Sequence, residues 1–336
     1  MEERQKDYIV HIVTRSEDLP SMKVGNFFHS PELFRITEKT SGSTPYMVVV
    51  TDCDGHVKAH MLATIYRRGS LLPLYWYSLG RVYGEGDYDI EVDNDNYIKI
   101  KSKLFELMLD AITKKFRKKL CLYIEFSDIS KKMFGYRYFR NHEYFPVRWM
   151  QIHNNLITKD PKDRLTDKML NRIEHLYKSG VVTSVSKEKN DIDDFYKMLR
   201  NYYRFKFQRF LPKKAFFEQM ILSDKCHMIV TKYKKWLIGG CVLINNNNDT
   251  FLWYSASKRK SFHLQHPGTM TIWYSLLYSK QLGYEHLHFM NVGLPFKKNP
   301  KRDFILRFGG KPASCYRWFR FSISWLNRLL KWIYRE

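Results

Sequence analysis

At 336 residues, with 44% hydrophobic and 16% aromatic side chains, the chain is long enough for two packed cores and too apolar for disorder. Its 57 Lys and Arg against 34 Asp and Glu leave a net charge of +23, which attracts polyanions: nucleic acid, phosphate-bearing cofactors or an anionic lipid surface. No window approaches the roughly 18 uninterrupted apolar residues of a membrane span, and Met1-Glu-Glu-Arg-Gln-Lys-Asp has no apolar signal core, so the expected place is the cytoplasm.

Tyr8 to Val13 suits a first strand, and Ser30-Pro31 suits the N-cap and first position of a helix running to about Gly42. Tyr46-Met-Val-Val-Val-Thr, the Asp52–Gly55 turn and Val57 to Tyr66 form a hairpin that feeds a strand at Leu74 to Leu79. Gly80 to Asp95 reads as an acidic loop. Apolar residues at 98, 100, 104, 105, 107, 108, 109, 112 and 116 give Tyr97–Phe116 an amphipathic helix, with cations at its C-terminal end where the helix dipole favours them. Leu120–Phe126 is a strand, and Met133–Trp149 is aromatic and basic with a strand at its end.

Asp163–Ser179 carries Leu165, Met169, Ile173 and Leu176 on one side, a helix ended by Gly180. Val181–Ser186 is a strand, followed by helices from Asn190 or Asp191 to Tyr203 and from Pro212 to Leu222. Cys226–Lys232, Trp236–Ile244 and Phe251–Ser257 are strands; a helix follows His266-Pro-Gly, and Leu287–Gly293 is a last strand. The order strand, turn, long strand, third strand, loop, helix, strand thus occurs twice, an internal repeat of architecture without visible sequence similarity. The expected fold class is α/β with a mixed sheet, in two tandem units. Residues 1–160 are expected to form the N-terminal unit, residues 161–321 the C-terminal unit carrying the active site, and residues 322–336 an amphipathic helix. Its stripe of Trp325, Leu326, Leu329, Leu330 and Ile333 is expected to pack back on the N-terminal unit, with an anionic lipid surface as the alternative.

Two stretches stand out for phosphate binding. Gln265-His-Pro-Gly-Thr-Met joins a strand to a helix, so Gln265, Gly268 and Thr269 are candidate cofactor-binding residues at a helix N-terminus. Phe296–Pro312 is the densest cationic loop and contributes Arg302, Phe304 and Arg307. Arg200–Phe210 alternates cations with rings, which either holds phosphates and bases or is an ordinary helix end; Arg204 and Arg209 are its candidate substrate-binding residues. His263/His266 and His286/His288 resemble metal pairs, but no third ligand lies at a diagnostic spacing, so no metal is expected. The scattered Cys53, Cys121, Cys226, Cys241 and Cys315 contain no CxxC and read as buried thiols in a reducing compartment.

In its order of pieces the chain resembles the FemAB-like members of the GNAT acyltransferase superfamily, built from two fused GNAT-type units. The pieces are Gly-Val-Val-Thr-Ser-Val from Gly180, Asp194-Phe-Tyr-Lys-Met-Leu, Pro212–Phe217, Leu237-Ile-Gly-Gly-Cys, Trp253-Tyr-Ser-Ala-Ser, His266-Pro-Gly, Leu282-Gly-Tyr and Phe304-Ile-Leu-Arg-Phe-Gly-Gly. The resemblance implies amide-forming transfer of an acyl or aminoacyl group from acyl-CoA or aminoacyl-tRNA to an amine on a cell-envelope or sugar precursor, with no permanently bound cofactor. The aminoacyl-tRNA users carry Phe-Lys-x-x-Phe-Gly near the end. Here Phe304, Phe308, Gly309 and Gly310 match, but Ile305 stands at the lysine position, which favours acyl-CoA. The mechanism so implied uses Tyr254 as proton donor to the leaving group and His266 as proton acceptor, with backbone N–H groups near Trp253–Ser255 for the oxyanion. Two other classes stay open: an RNA-binding protein using Arg200–Phe210 and Lys297–Lys311, and a membrane-surface scaffold at the inner face. Oligomeric state, monomer or dimer, is not legible.

Overall fold

The computed structural model describes residues 8–69, 76–90, 96–204, 210–290, 292–296 and 298–334. The chain divides into two compact units, Met1–Arg148 with Cys315–Glu336, and Trp149–Ser314. The sequence reading put the divisions at 160 and 321. The structure draws them inside two strands, because each half of the sequence ends in a strand that completes the other unit.

Unit 1 contains β1 (Ile9–Val13), α1 (Pro31–Glu38), β2 (Ser43–Thr51), β3 (Val57–Gly69), β4 (Trp76–Tyr83), β5 (Asp87–Tyr88), α2 (Tyr97–Lys118), β6 (Cys121–Ser127) and α3 (Tyr136–Asn141). The chain then enters β7 (Phe145–Asn155). Unit 2 continues with α4 (Asp167–Lys178), β8 (Val181–Val185), α5 (Lys189–Tyr203), α6 (Lys214–Met220), β9 (Cys226–Tyr233), β10 (Trp236–Asn246), β11 (Asp249–Ser257), α7 (Pro267–Gln281), β12 (His286–Phe289) and α8 (Pro300–Leu306). Last come β13 (Lys311–Phe321) and α9 (Ser324–Ile333).

Strand order repeats. In unit 1 it is β1-β2-β3-β4-β6-β13, antiparallel except for the parallel β4/β6 pair; in unit 2 it is β8-β9-β10-β11-β12-β7, antiparallel except for the parallel β11/β12 pair. Each parallel pair is spanned by a helix, α2 in one unit and α7 in the other, as a parallel connection requires. The chain has the mixed α/β architecture expected from the repeat.

Several boundaries move for local reasons. Ser30 caps α1 by accepting the Leu33 N–H at 3.1 Å, with Pro31 at the first position, but the helix stops at Glu38 because Ser43 already pairs with Tyr66. The stretch read as an acidic loop gives β4 its last residues and β5. The cationic run after Phe296 is not all loop. Asn299 accepts the N–H groups of Lys301 and Arg302, Pro300 follows it, and α8 forms. Lys297 and Arg209 lie outside the described residues.

The unit 1 core is aromatic: Phe105, Phe116, Phe126, Phe139, Tyr144 and Trp318 are all buried, and Phe139 stacks on Trp318 at 4.6 Å. Burial of each such ring contributes about 1.5–3 kcal/mol. In unit 2 Leu243, Leu252, Met270, Trp273, Leu276, Leu287, Phe289, Ile305 and Phe308 form the core between α7 and its sheet. Four cysteines are buried thiols, and burial pushes Cys121, Cys241 and Cys315 up to about 12. Cys53 departs from the expectation: it is exposed in the turn between β2 and β3.

The end of the chain also differs. Helix α9 belongs to unit 1, but its stripe does not face the core. Its buried side chain is Asn327, whose Oδ1 accepts the Phe321 N–H at 2.9 Å and whose Nδ2 donates to the Glu143 carbonyl at 3.0 Å. Leu326 and Leu330 are half-buried, Tyr334 stacks on Phe145 at 5.7 Å, and Trp325, Leu329 and Ile333 are exposed. No helix among the described residues is long and apolar enough to cross a membrane.

One buried histidine makes unit 1 acid-sensitive. His29 is fully buried, with the backbone N–H groups of Leu62 and Gly86 at 3.1 and 3.0 Å from its two ring nitrogens. An added proton has no acceptor there; burial, with His60 nearby, lowers its pKa to about 3. The folded value is below the unfolded one, so the unfolded chain protonates first. The stability this residue confers is full above about pH 6.5 and falls by about 1.4 kcal/mol per pH unit as the pH drops towards 3. Urea unfolding at about pH 7 and pH 5 is expected to show the wild type losing about 2 kcal/mol more than His29→Gln.

Candidate active site

The site is built on β10, β11 and the start of α7. In β10, Gly239-Gly240-Cys241 places successive residues on opposite faces of the sheet. A Cβ on Gly239 would lie 2.6 Å from Thr271 Oγ1 and 3.1 Å from the Pro267 carbonyl oxygen; one on Gly240 would lie 2.9 Å from the Phe195 ring. The two glycines therefore let α7 close on one face and α5 on the other. Thr271 Oγ1, 2.7 Å from Thr231 Oγ1 and 2.8 Å from the Pro267 carbonyl, and Ser275 Oγ, 3.1 Å from Cys241 Sγ, fasten α7 to that face.

Strand β11 carries an irregularity. Its register against β10 jumps from Val242↔Tyr254 to Leu243↔Leu252, so Trp253 is the extra residue of a bulge. Leu252 faces the α7 side, while both Trp253 and Tyr254 turn to α6: Trp253 meets Phe216 at 5.6 Å and Tyr254 meets Phe217 at 5.1 Å, both edge-on. At the same place the parallel pairing with β12 ends, at Leu252↔Phe289, although β11 runs on to Ser257. In unit 1 the corresponding pair has its irregularity at the start, between Ser78 and Leu79, and its pairing continues to the end of both strands, Tyr83↔Ser127. A bulge that re-aims side chains and terminates pairing is a common accompaniment of a site.

The first turn of α7 lies against this strand end. His266 is its N-cap in the left-handed region (φ 42°), and its carbonyl accepts the Thr269 and Met270 N–H groups. A Cβ on Gly268 would stand 3.4 Å from Ser257 Oγ and 3.6 Å from the Phe304 ring. The end of β11, the start of α7 and α8 thus converge on Gly268. Pro267 has no N–H to offer, and the positive end of the fifteen-residue helix is directed at this point. His266 is held below the ordinary histidine range by burial, with Arg172 of α4 and His263 adding to the effect, so it is neutral near pH 7.

The candidate residues divide between two faces. Gln265, His266, Gly268, Thr269 and Phe304 gather at the α7 start, together with Arg172 and Ser257, which sequence reading did not select. Arg172 lies off the apolar side of α4 that the helical spacing picks out, and Ser257 is the last residue of β11. Tyr254 is on the α5/α6 face, where Arg204 stands exposed at the end of α5, so Tyr254 and His266 are not neighbours. Arg302 is half-buried, with Nη1 donating to the Leu294 carbonyl at 2.7 Å and fixing the segment after β12; Arg307 is exposed at the end of α8. Ile305 faces the core, where it is 2% exposed.

A second cluster lies at the paired end of β11. Asp249 receives hydrogen bonds from His286 Nδ1 at 2.9 Å and His288 Nε2 at 3.0 Å; the ring of His153 is 5.9 Å from each of the other two, and Phe251 stacks on His288 at 4.7 Å. The third potential ligand that spacing did not reveal is therefore Asp249, brought in by strand pairing. Asn155 fixes the protonation of His286. Its Oδ1 accepts from Ile157, Thr158 N and Thr158 Oγ1, which turns Nδ2 towards His286 Nε2 at 3.1 Å; that nitrogen accepts, so the proton sits on Nδ1, facing Asp249. Burial alone would raise Asp249, but the hydrogen bonds it accepts from His288 and His286 hold it below the ordinary carboxylate range.

No protein-family model matches the sequence, and no curated protein matches it. Solved structures do match in fold. FemX superposes with a TM-score of 0.61 at 9% identity, over 91% of this chain and 94% of that one. L-PGS from Bacillus licheniformis gives 0.56 at 11% identity, over 94% and 100%, and a tandem GNAT protein from the clavulanic acid biosynthesis pathway gives 0.54 at 10%, over 87% and 88%. Identities near 10% carry the fold alone, and over nearly the full length of both partners that fold is the FemAB-like double-GNAT fold.

Proposed function

We propose that the protein is an N-acyltransferase whose donor binds in unit 2. The observation that carries this reading is the conjunction on β11: the bulge at Trp253, the end of parallel pairing at Leu252, and the start of α7 at Gly268. A donor with phosphates finds the Gly268 N–H and the positive end of α7, with the Arg172 cation acting on the neighbouring His266. Its acyl arm passes between the ends of β11 and β12, and its carbonyl reaches the bulged backbone at Trp253–Tyr254. The acceptor amine comes from the α5/α6 face, past Arg204.

The amine nitrogen attacks the carbonyl carbon, the carbon–sulfur or carbon–oxygen bond to the donor breaks, and an amide forms while the amine loses a proton. Tyr254 stands on the acceptor side of the bulge and supplies the proton to the leaving group. The proton lost by the amine restores the one Tyr254 gives up, so the net transfer is from amine to leaving group; His266, at the phosphate end, shapes the turn into α7. A fall of less than about tenfold in kcat/KM for Tyr254→Phe removes the tyrosine from this role, because acid–base groups contribute roughly 10²–10⁴-fold.

Acyl-CoA is favoured over aminoacyl-tRNA, because Ile305 is a core side chain at the position where tRNA users carry lysine. The acceptor class is an amine on an envelope or sugar precursor. A thermal-shift panel of coenzyme A, acyl-CoAs and deacylated tRNA tests the donor. A ligand at a hundredfold its Kd stabilises by about 2.7 kcal/mol, so coenzyme A is expected to raise Tm and tRNA to leave it unchanged. A response to tRNA alone reverses the donor, and a response to neither removes the reading.

A further inference from the structure

The strongest feature that the transfer reading leaves unused is on the surface of unit 1. Helix α9 presents Trp325, Leu329, Trp332 and Ile333 at spacings of four, three and one, one continuous face of a helix, and that face is turned outwards: Trp325 is 68% and Trp332 66% exposed. The inversion is enforced by Asn327, whose two hydrogen bonds to Phe321 and Glu143 hold the opposite face against the unit.

The patch extends beyond the helix. Ser322 donates its N–H to the Leu122 carbonyl at 3.0 Å and its hydroxyl to the Cys121 carbonyl, which brings Ile323 and α9 beside the turn between α2 and β6. Leu120 in that turn is 83% exposed, and Arg117, Lys118 and Lys119 are exposed with it. The charge is mainly positive: Ala111 to Tyr123 and Lys311 to Tyr334 contain no Asp or Glu, Arg328 flanks the α9 stripe, and the neighbouring Glu143 carboxylate is paired with Arg320 at 2.9 Å. A water-facing surface of two Trp, two Leu and two Ile ringed by cations has the chemistry of an interfacial lipid contact, in which rings enter the headgroup layer and cations meet acidic lipid.

We propose that α9, with the Lys118–Leu120 turn, docks the protein on an anionic bilayer surface. The contact is peripheral and salt-sensitive, and it does not depend on the transfer reading. Sedimentation of the full chain with vesicles of phosphatidylglycerol and phosphatidylcholine, against phosphatidylcholine alone, tests it. The wild type is expected to pellet with the acidic vesicles, to shift its Trp emission to the blue, and to be released at about 0.5 M salt. Trp325→Ser/Leu329→Ser/Trp332→Ser is expected to lower the partition at least tenfold with an unchanged circular-dichroism spectrum, and Lys118→Glu/Lys119→Glu to lower it while keeping the rings. Wild-type protein that stays in the supernatant, or a triple variant that pellets equally, overturns the proposal. So does a dimer by light scattering that the triple variant dissolves, since a second copy would then be what covers the face.

Discussion

Glu125→Ala is expected to cost about 3–5 kcal/mol of unit 1 stability, the usual consequence of removing one member of a buried ion cluster. Glu125 is 3% exposed and lies between two guanidinium groups: Arg81 Nη2 is 2.6 Å from Oε2, and Arg317 Nη1 is 3.1 Å from Oε1. Burial alone would lower the pKa of Arg81, yet Glu125, ahead of Tyr83 and Tyr123, holds it well above the ordinary arginine range. Arg81 is the register partner of Glu125 across the parallel β4/β6 pair, and Arg317 comes from β13, so one carboxylate ties three strands. Alanine leaves two positive charges buried with one answering carboxylate nearby, Asp128, 4.0 Å from Arg317. Denaturant unfolding checks the cost. Replacing all three members by apolar residues of similar volume is expected to be far milder than the single change, because the desolvation penalty goes with the charges.

Gly239→Val is expected to lower kcat/KM for transfer about 100-fold or more. Even the first atom of the new side chain falls 2.6 Å from Thr271 Oγ1, and that hydroxyl is already engaged with Thr231 and the Pro267 carbonyl. The start of α7 must move, and misplacing a positioning group by about 1 Å costs on the order of 10²-fold. The overpacking itself costs about 1–3 kcal/mol. Gly240→Ala is the control: its Cβ meets Phe195 of α5 on the other face, so it is expected to destabilise without displacing the α7 start. Equal losses of activity at comparable stability from the two changes would contradict a site at the beginning of α7.

How far the sequence goes is clear from these residues. The repeated strand order, α2 and the Pro267 start of α7 rest on local signals, namely alternation, helical spacing and Pro-Gly, and were legible. Strand β13 was not, because Arg317 and Arg320 interrupt its apolar run; their partners, Glu125 and Glu143, are 192 and 177 residues away. Helix α8 was hidden in a cationic run that includes its own Lys301 and Arg302, although Asn299-Pro300 is an ordinary cap. The bulge at Trp253 is a matter of register between two strands, and no property of Trp253-Tyr-Ser-Ala-Ser alone encodes it. Asp249 joins His286 and His288 only through parallel pairing. For α9 the stripe was plain, but which side is inward depends on Asn327, a polar residue that no hydrophobic pattern selects.

The structure of the protein crystallised with coenzyme A tests the central assignment most directly. The account predicts the pyrophosphate against the Gly268 N–H at the start of α7, with the pantetheine arm running between the ends of β11 and β12 towards Trp253–Tyr254. Coenzyme A bound instead at the β4/β6 end of unit 1, or an α7 start left bare at saturating ligand, would contradict it.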